Sequence, residues 1–141
     1  MAIRIIETHW QDHQQALMQL RETVFIREQH VPRDLEWDGQ DEQASHFLAL
    51  DEADRPVGCI RLLPSGQISR LCVLSEHRNS GIGTALLVNA EEAARQRNMD
   101  EIFLHAQTQA TSFYEAAGFA VSGGIFMDAN IPHRQMFKPL D

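Results

Sequence analysis

The sequence predicts an α/β chain of the α+β kind, built on a mixed, mostly antiparallel central sheet. Three observations point there. Between His46 and Leu74 three strand-like runs follow one another with short turns between them, the pattern of a meander. From Ile68 to Ala94 a buried strand passes through a polar turn, Ser75 to Ser80, straight into a helix that begins at Gly81 and Gly83. Beyond that helix a short strand, a short helix and two more strands continue the alternation.

In chain order, residues 2–8 alternate and are rich in β-branched side chains, so they form a first strand. Asp12 is a helix cap for residues up to about 27, with Leu17, Leu20 and Val24 as the apolar stripe. Residues 27–42 are polar, broken by Pro32 and Gly39, and hold five acids between Asp34 and Glu42. That stretch reads either as a solvated loop or as a substrate-facing loop whose carboxylates attract an ammonium group. Residues 46–50 and 57–63 are the second and third strands, and Pro64-Ser65-Gly66 turns the chain into the fourth, residues 68–74. With Ser65 and Gly66 as the two turn residues, Cys59 and Cys72 fall opposite each other. In the long helix Ile82, Leu86, Ala90 and Ala93 share one face, and Glu91, Glu92, Arg95 and Gln96 point away. Residues 101–106 are a strand, and 110–117 a helix stopped by Gly118. Residues 119–127 and 133–137 are the last two strands, joined by 128–132, where Pro132 breaks the ladder.

A length of 141 residues fits one domain with a core of its own. A hydrophobic share of 43% marks a folded chain rather than a disordered one. No apolar run nears the roughly 18 residues of a membrane span, and the first residues carry no signal-peptide core, so the expected compartment is the cytoplasm. Cys59 and Cys72 are too few for a disulfide framework and read as reduced core thiols. The formal charge of −8 disfavours a nucleic-acid partner and suits a cationic or neutral one. His9 and His13 have helical ligand spacing, but they straddle the expected helix start and no further ligands complete a site, so no metal is expected.

The glycine junction carries the chemistry. The first N–H groups of a helix lack internal partners and sit at its positive dipole end, so they suit a phosphate. A Walker loop is excluded because Gly83-Thr84 has no lysine between them. A dinucleotide fingerprint is excluded because Leu86 stands where the third glycine belongs. What remains, Arg78-Asn79-Ser80-Gly81-Ile82-Gly83, resembles the Arg/Gln-x-x-Gly-x-Gly/Ala loop of the GNAT superfamily of N-acetyltransferases, which grips the pyrophosphate of acetyl-coenzyme A. A second stretch, Gln107 to Phe119 with Ala110, Tyr114 and Gly118, is similar to that family's Asn-x-x-Ala-x-x-x-Tyr-x-x-x-Gly-Phe signature, with Gln107 replacing asparagine. Two motifs in the right order outweigh either alone. Val24-Phe-Ile-Arg-Glu-Gln, Glu36-x-Asp38, Ala44-x-His46 and the tail from Asp128 through Ile131-Pro-His133 to Met136 resemble the ElaA-like branch. The resemblance implies a GNAT-type fold over residues 1–141 as a single domain: six to seven strands flanked by about four helices.

It also implies a chemistry. Acetyl-coenzyme A would be the co-substrate, its pyrophosphate held by Arg78, Asn79, Ser80, Gly81, Ile82, Gly83 and Thr84, with Arg78 adding a charge-assisted contact. The pantetheine arm would run along the main chain of Leu71, Cys72 and Val73, and Gln107 and Tyr114 would border it. The N–H of Val73 would polarise the thioester carbonyl where the fourth and fifth strands splay. Tyr114, the chain's only tyrosine, would protonate the leaving thiolate. A lysine-like amine has a pKa of about 10.4, so a base or water chain must take its proton near neutrality. Glu28, Glu36, Asp38, His46, His105 and His133 are the candidates for acceptor contacts and base. Glu36 and Asp38 are favoured as substrate contacts, and the base stays open. The acceptor would be a cationic primary amine of a small molecule, with a protein or peptide amine or a hydroxyl as the alternatives. The alternative is a non-catalytic acyl-coenzyme A sensor or interaction module. A homodimer is compatible with either.

Overall fold

The computed structural model describes residues 2–141. Seven strands form one sheet in the order β1-β2-β3-β4-β5-β7-β6. They are β1 (Arg4–Thr8), β2 (Ser45–Leu50), β3 (Pro56–Leu62), β4 (Gln67–Val73), β5 (Glu101–Gln107), β6 (Ala120–Asp128) and β7 (Ile131–Pro139). The helices are α1 (Trp10–Arg21), α2 (Arg33–Glu36), α3 (Ile82–Gln96) and α4 (Thr111–Ala116). Only β4 and β5 run parallel, and the crossover between them carries α3.

The sheet buries both faces where its strands alternate. On one, Phe47, Ile60, Ile68 and Leu104 pack with Ile82, Leu86, Leu87 and Ala90 of α3. On the other, Leu48, Cys59 and Cys72 pack with Leu17, Leu20 and the adjoining Val24, the expected stripe. The two cysteines are free, directly opposite, with Sγ atoms 3.5 Å apart. Their burial and mutual contact raise the Cys72 thiol pKa, consistent with inert core thiols.

Several expectations need correction. Asp12 does not cap α1; His9 occupies that position without a side-chain cap, and Asp12 sits in the first turn. The helix does not continue regularly to residue 27. From Glu22 to Glu28 it is π-helical, with the Gln29 N–H reaching back to the Val24 carbonyl. Residues 27–42 are not merely a loop, since they include α2. Residues 108–110 form a 3₁₀ turn ahead of α4. Glu91 does not face away: it is buried against Lys138, whose Nζ lies 2.9 and 3.0 Å from its two oxygens. Pro132 does not break a ladder but lies inside β7. The β6–β7 turn consists of Ala129 and Asn130, both at positive φ, so Asp128–Ile131 is the hydrogen-bonded closing pair and Met127–Pro132 the next, non-bonded one. Pairing with β5 ends one residue on, at Gln107–His133, so the missing N–H costs no bond.

Candidate active site

The site begins with an irregularity in β4. Ser69 pairs with Arg61 and Cys72 with Cys59, so three steps on β4 match two on β3. The extra residue is a bulge, and Arg70 takes φ +57° within it. The parallel pairing of β4 with β5 stops at Ile68–Leu104, although β4 runs on to Val73 and β5 to Gln107. The two strands therefore part, and a cavity of about 340 Å³ opens between them, bordered by Ser69, Arg70, Leu71, His105, Gln107 and Tyr114 among others.

The main chain of Val73 faces away from β3, on the side where β5 has parted. The Leu74 N–H donates to the Val57 carbonyl, so Leu74–Val57 is a hydrogen-bonded pair of the antiparallel ladder. In the next pair, Gly58–Val73, the N–H and C=O of Val73 must then point away from β3. The Val73 carbonyl accepts a bond from Arg78 Nε at 2.9 Å on that side. At the mouth of the gap α3 starts, with Gly81 at φ +87° as its N-cap and no acid in its first turn. Asn79 is also left-handed, at φ +62°, and Ser80 donates to the His77 carbonyl, which folds the loop tightly against the helix start. A Cβ on Gly83 would look across at the Phe113 ring of α4, 3.6 Å away, and at Val73. That glycine therefore lines the groove between β4, α3 and α4.

Arg78 is not a free cation awaiting an anion. Its guanidinium is bidentate on Glu28, at 2.6 and 2.8 Å, so Glu28 is likewise occupied. This pair ties the end of the π-helical turn to the glycine loop. Tyr114 borders the cavity, edge-on to Phe113 and Phe119 with centroids 5.0 and 5.9 Å away. Burial pushes its pKa up to about 12, so the phenol keeps its proton across the physiological range. Gln107 borders the same cavity and donates to Gln29, while Gln109 donates to Gln107.

The acidic stretch satisfies neither earlier reading. Arg21 Nε and Nη1 bind Glu36 and Asp41 at 2.8 and 2.6 Å. Arg61 holds Asp38 at 2.8 Å and Asp41 at 3.1 Å, and Arg70 lies 3.0 Å from Glu36 and 3.2 Å from Asp38. Arg21 is also stacked between Trp10 and Trp37, 5.6 and 5.0 Å from the ring centres. Three arginines thus neutralise three acids beneath the sheet, and the segment is pinned rather than solvated. Asp38 does not border the cavity; Glu36 does, but its carboxylate is already spent. Burial raises the Glu36 pKa despite the nearby arginines, whereas Asp38 is held at about 2 by Arg61 and Arg70 although burial works against it. His46 lies away from the cavity, against Trp10 and the Asp41 carbonyl (2.9 Å), and cannot reach the gap.

His105 and His133 do border the cavity, together with Asp128. Both rings lie against Phe126, His105 edge-on at 5.1 Å and His133 stacked at 5.9 Å. Among the residues that sequence reasoning missed, Phe25, Gln29 and Leu35 form the wall opposite. The signal for the arginine cluster was present: Arg61 sits inside the apolar run Val57 to Leu63, and a buried strand arginine needs carboxylates from elsewhere. Among the described residues no group of three or more His, Cys, Asp or Glu could hold a metal ion, and no helix is long and apolar enough to cross a membrane.

A sheet parted between two parallel strands, with a helix N-terminus beside it and a half-buried phenol on its wall, fits an acyltransferase. Residues 11–140 match the family described as the acetyltransferase (GNAT) domain, and the chain belongs to that family. The uncharacterized N-acetyltransferase YjcF of Bacillus subtilis is 39% identical over 84% of this chain and 87% of its own. The crystal structure of Escherichia coli ElaA superposes with a TM-score of 0.87 at 28% identity, covering 96% of this chain and 99% of that one. An acyl-CoA N-acyltransferase from Pseudomonas aeruginosa gives 0.86 at 29% identity, covering 97% and 99%. The fold is thus the mixed, seven-stranded GNAT fold with four helices.

Proposed function

We propose that the protein transfers an acetyl group from acetyl-coenzyme A to a primary amine by direct attack in a ternary complex. The observation that supports this reading is the β4–β5 gap: Tyr114 borders it, and farther along β4 the main chain of Val73 points away from β3. The N-terminal amides of α3 and the loop from Arg78 to Thr84 would take the diphosphate, and the main chain of β4 along Leu71, Cys72 and Val73 the pantetheine arm. Bidentate pairing with Glu28 leaves Arg78 to shape the loop, so the amides carry the larger share of anion binding.

The amine nitrogen attacks the carbonyl carbon, the C–S bond breaks, and Tyr114 gives its proton to the departing sulfur. The Val73 N–H would stabilise the oxyanion formed meanwhile, worth a few kcal/mol in such sites. The acceptor is a small amine, in a compartment we take to be the cytoplasm. A panel of polyamines, amino sugars, amino acids and lysine peptides, assayed for released thiol, tests this. Turnover with one class is expected; binding of coenzyme A without release of thiol from any of them would leave a sensor instead.

A further inference from the structure

We infer that His133 is the general base that takes the proton from the attacking amine, an assignment that rests on the acetyl-transfer reading above. Three features single it out. His133 is buried, yet it borders the cleft that Tyr114 also borders. Its Nδ1 lies 2.6 Å from the Ile131 carbonyl oxygen. A carbonyl only accepts, so Nδ1 must carry the hydrogen, and in the neutral ring Nε2 is left with a lone pair. No described residue hydrogen-bonds that Nε2. The tautomer is therefore fixed by the β6–β7 turn, and the ring orientation by stacking on Phe126.

The other candidates fail on geometry. Glu28, Glu36 and Asp38 are each held by arginine, and His46 is outside the cleft. His105 has no fixed tautomer: it makes only ring contacts, with Phe103 and Phe126. The charged or titratable groups that border the cleft with His133 are Asp128 on β6, His105 on β5, Arg70 on β4, Glu36 on α2 and Tyr114 on α4. Of the two carboxylates bordering the cleft, Glu36 is paired with arginine, while Asp128 has no cationic partner among the described residues and stands exposed at the rim, where it favours a cationic amine on approach. The step balances. The amine lone pair forms the C–N bond, its proton passes to His133 Nε2 directly or through one water, and Tyr114 supplies the proton that leaves with the thiol. Solvent then resets both residues.

His133→Asn tests this, because its amide can still donate to the Ile131 carbonyl while the base at Nε2 is gone. Turnover of the accepted amine should fall about 10²- to 10⁴-fold near neutral pH. The loss should shrink as pH rises toward the amine's own pKa, about 10 for a lysine-like amine, so the variant keeps climbing where the wild type levels off. Thermal stabilisation by coenzyme A should be unchanged. Nitrogen NMR of the wild-type protein should show that the neutral form of the His133 ring carries its hydrogen on Nδ1 rather than Nε2. Turnover within twofold of wild type, a parallel pH profile, an Nε2-protonated ring, or transfer of the whole effect to His105→Gln would each overturn the assignment. Wild-type protein that binds coenzyme A but acylates no amine would overturn the transferase reading, and the base with it.

Discussion

Two side chains show how burial and charge set a titration. Tyr114, pushed up to about 12 by burial alone, is a proton donor at every working pH. Tyr114→Phe should therefore lower kcat about 10²- to 10⁴-fold while the thermal shift caused by coenzyme A stays within error. Asp38 is the opposite case. Its folded pKa of about 2 lies below the ordinary 3.8, so its pairing stabilises the fold fully above the ordinary value and is lost as pH falls from about 4 toward 2. The difference corresponds to about 2 kcal/mol. Asp38→Asn should lose roughly that much in urea unfolding at pH 7 and show a flatter decline between pH 4 and pH 2.

Elements were legible where periodicity was strong and illegible where two irregularities offset each other. The strand segments, α3 and the Gly118 stop all follow from apolar spacing and turn residues. The pairing of Cys59 with Cys72 was also anticipated, but through a two-residue turn. The turn has three residues, Pro64 to Gly66, with Leu63 bonded to Gln67. The bulge at Arg70 then restores the register by adding one residue to β4. Nothing in an arginine signals a left-handed backbone, so the feature that opens the cleft could not be read from the chain. The acidic stretch misled for a related reason: charge looks solvated in sequence, and only the fold brings Arg21, Arg61 and Arg70 to it. At the glycine junction the prediction is direct. Gly83→Glu places a carboxylate in the groove beside Phe113, at the proposed diphosphate site, and should abolish the stabilisation by coenzyme A. For the wild type that stabilisation is about 2.7 kcal/mol at a hundredfold excess over Kd.

Across the whole molecule, the arginine cluster joins α1, α2, β3 and β4, and so ties the cleft wall to the sheet. Each acid is shared by two arginines, so replacing one arginine halves the pairing of two buried acids; leaving a buried charge wholly unpaired costs about 3–5 kcal/mol, far more than a pair contributes over an apolar packing. Arg21→Met should therefore lower the unfolding free energy by up to that amount in urea titration, since it removes the nearest cation from both Glu36 and Asp41 and leaves them only Arg70 and Arg61, at 3.0 and 3.1 Å. The same cluster explains why a chain of net charge −8 keeps a wall of the cleft near neutral: its acids there are matched one to one.

The most direct measurement is a crystal structure with coenzyme A bound. The diphosphate should rest on the amides at the start of α3, with the sulfur lying between Val73 and Tyr114 and within hydrogen-bond reach of the phenol. A diphosphate seated elsewhere, or a phenol turned away from the sulfur, would contradict it.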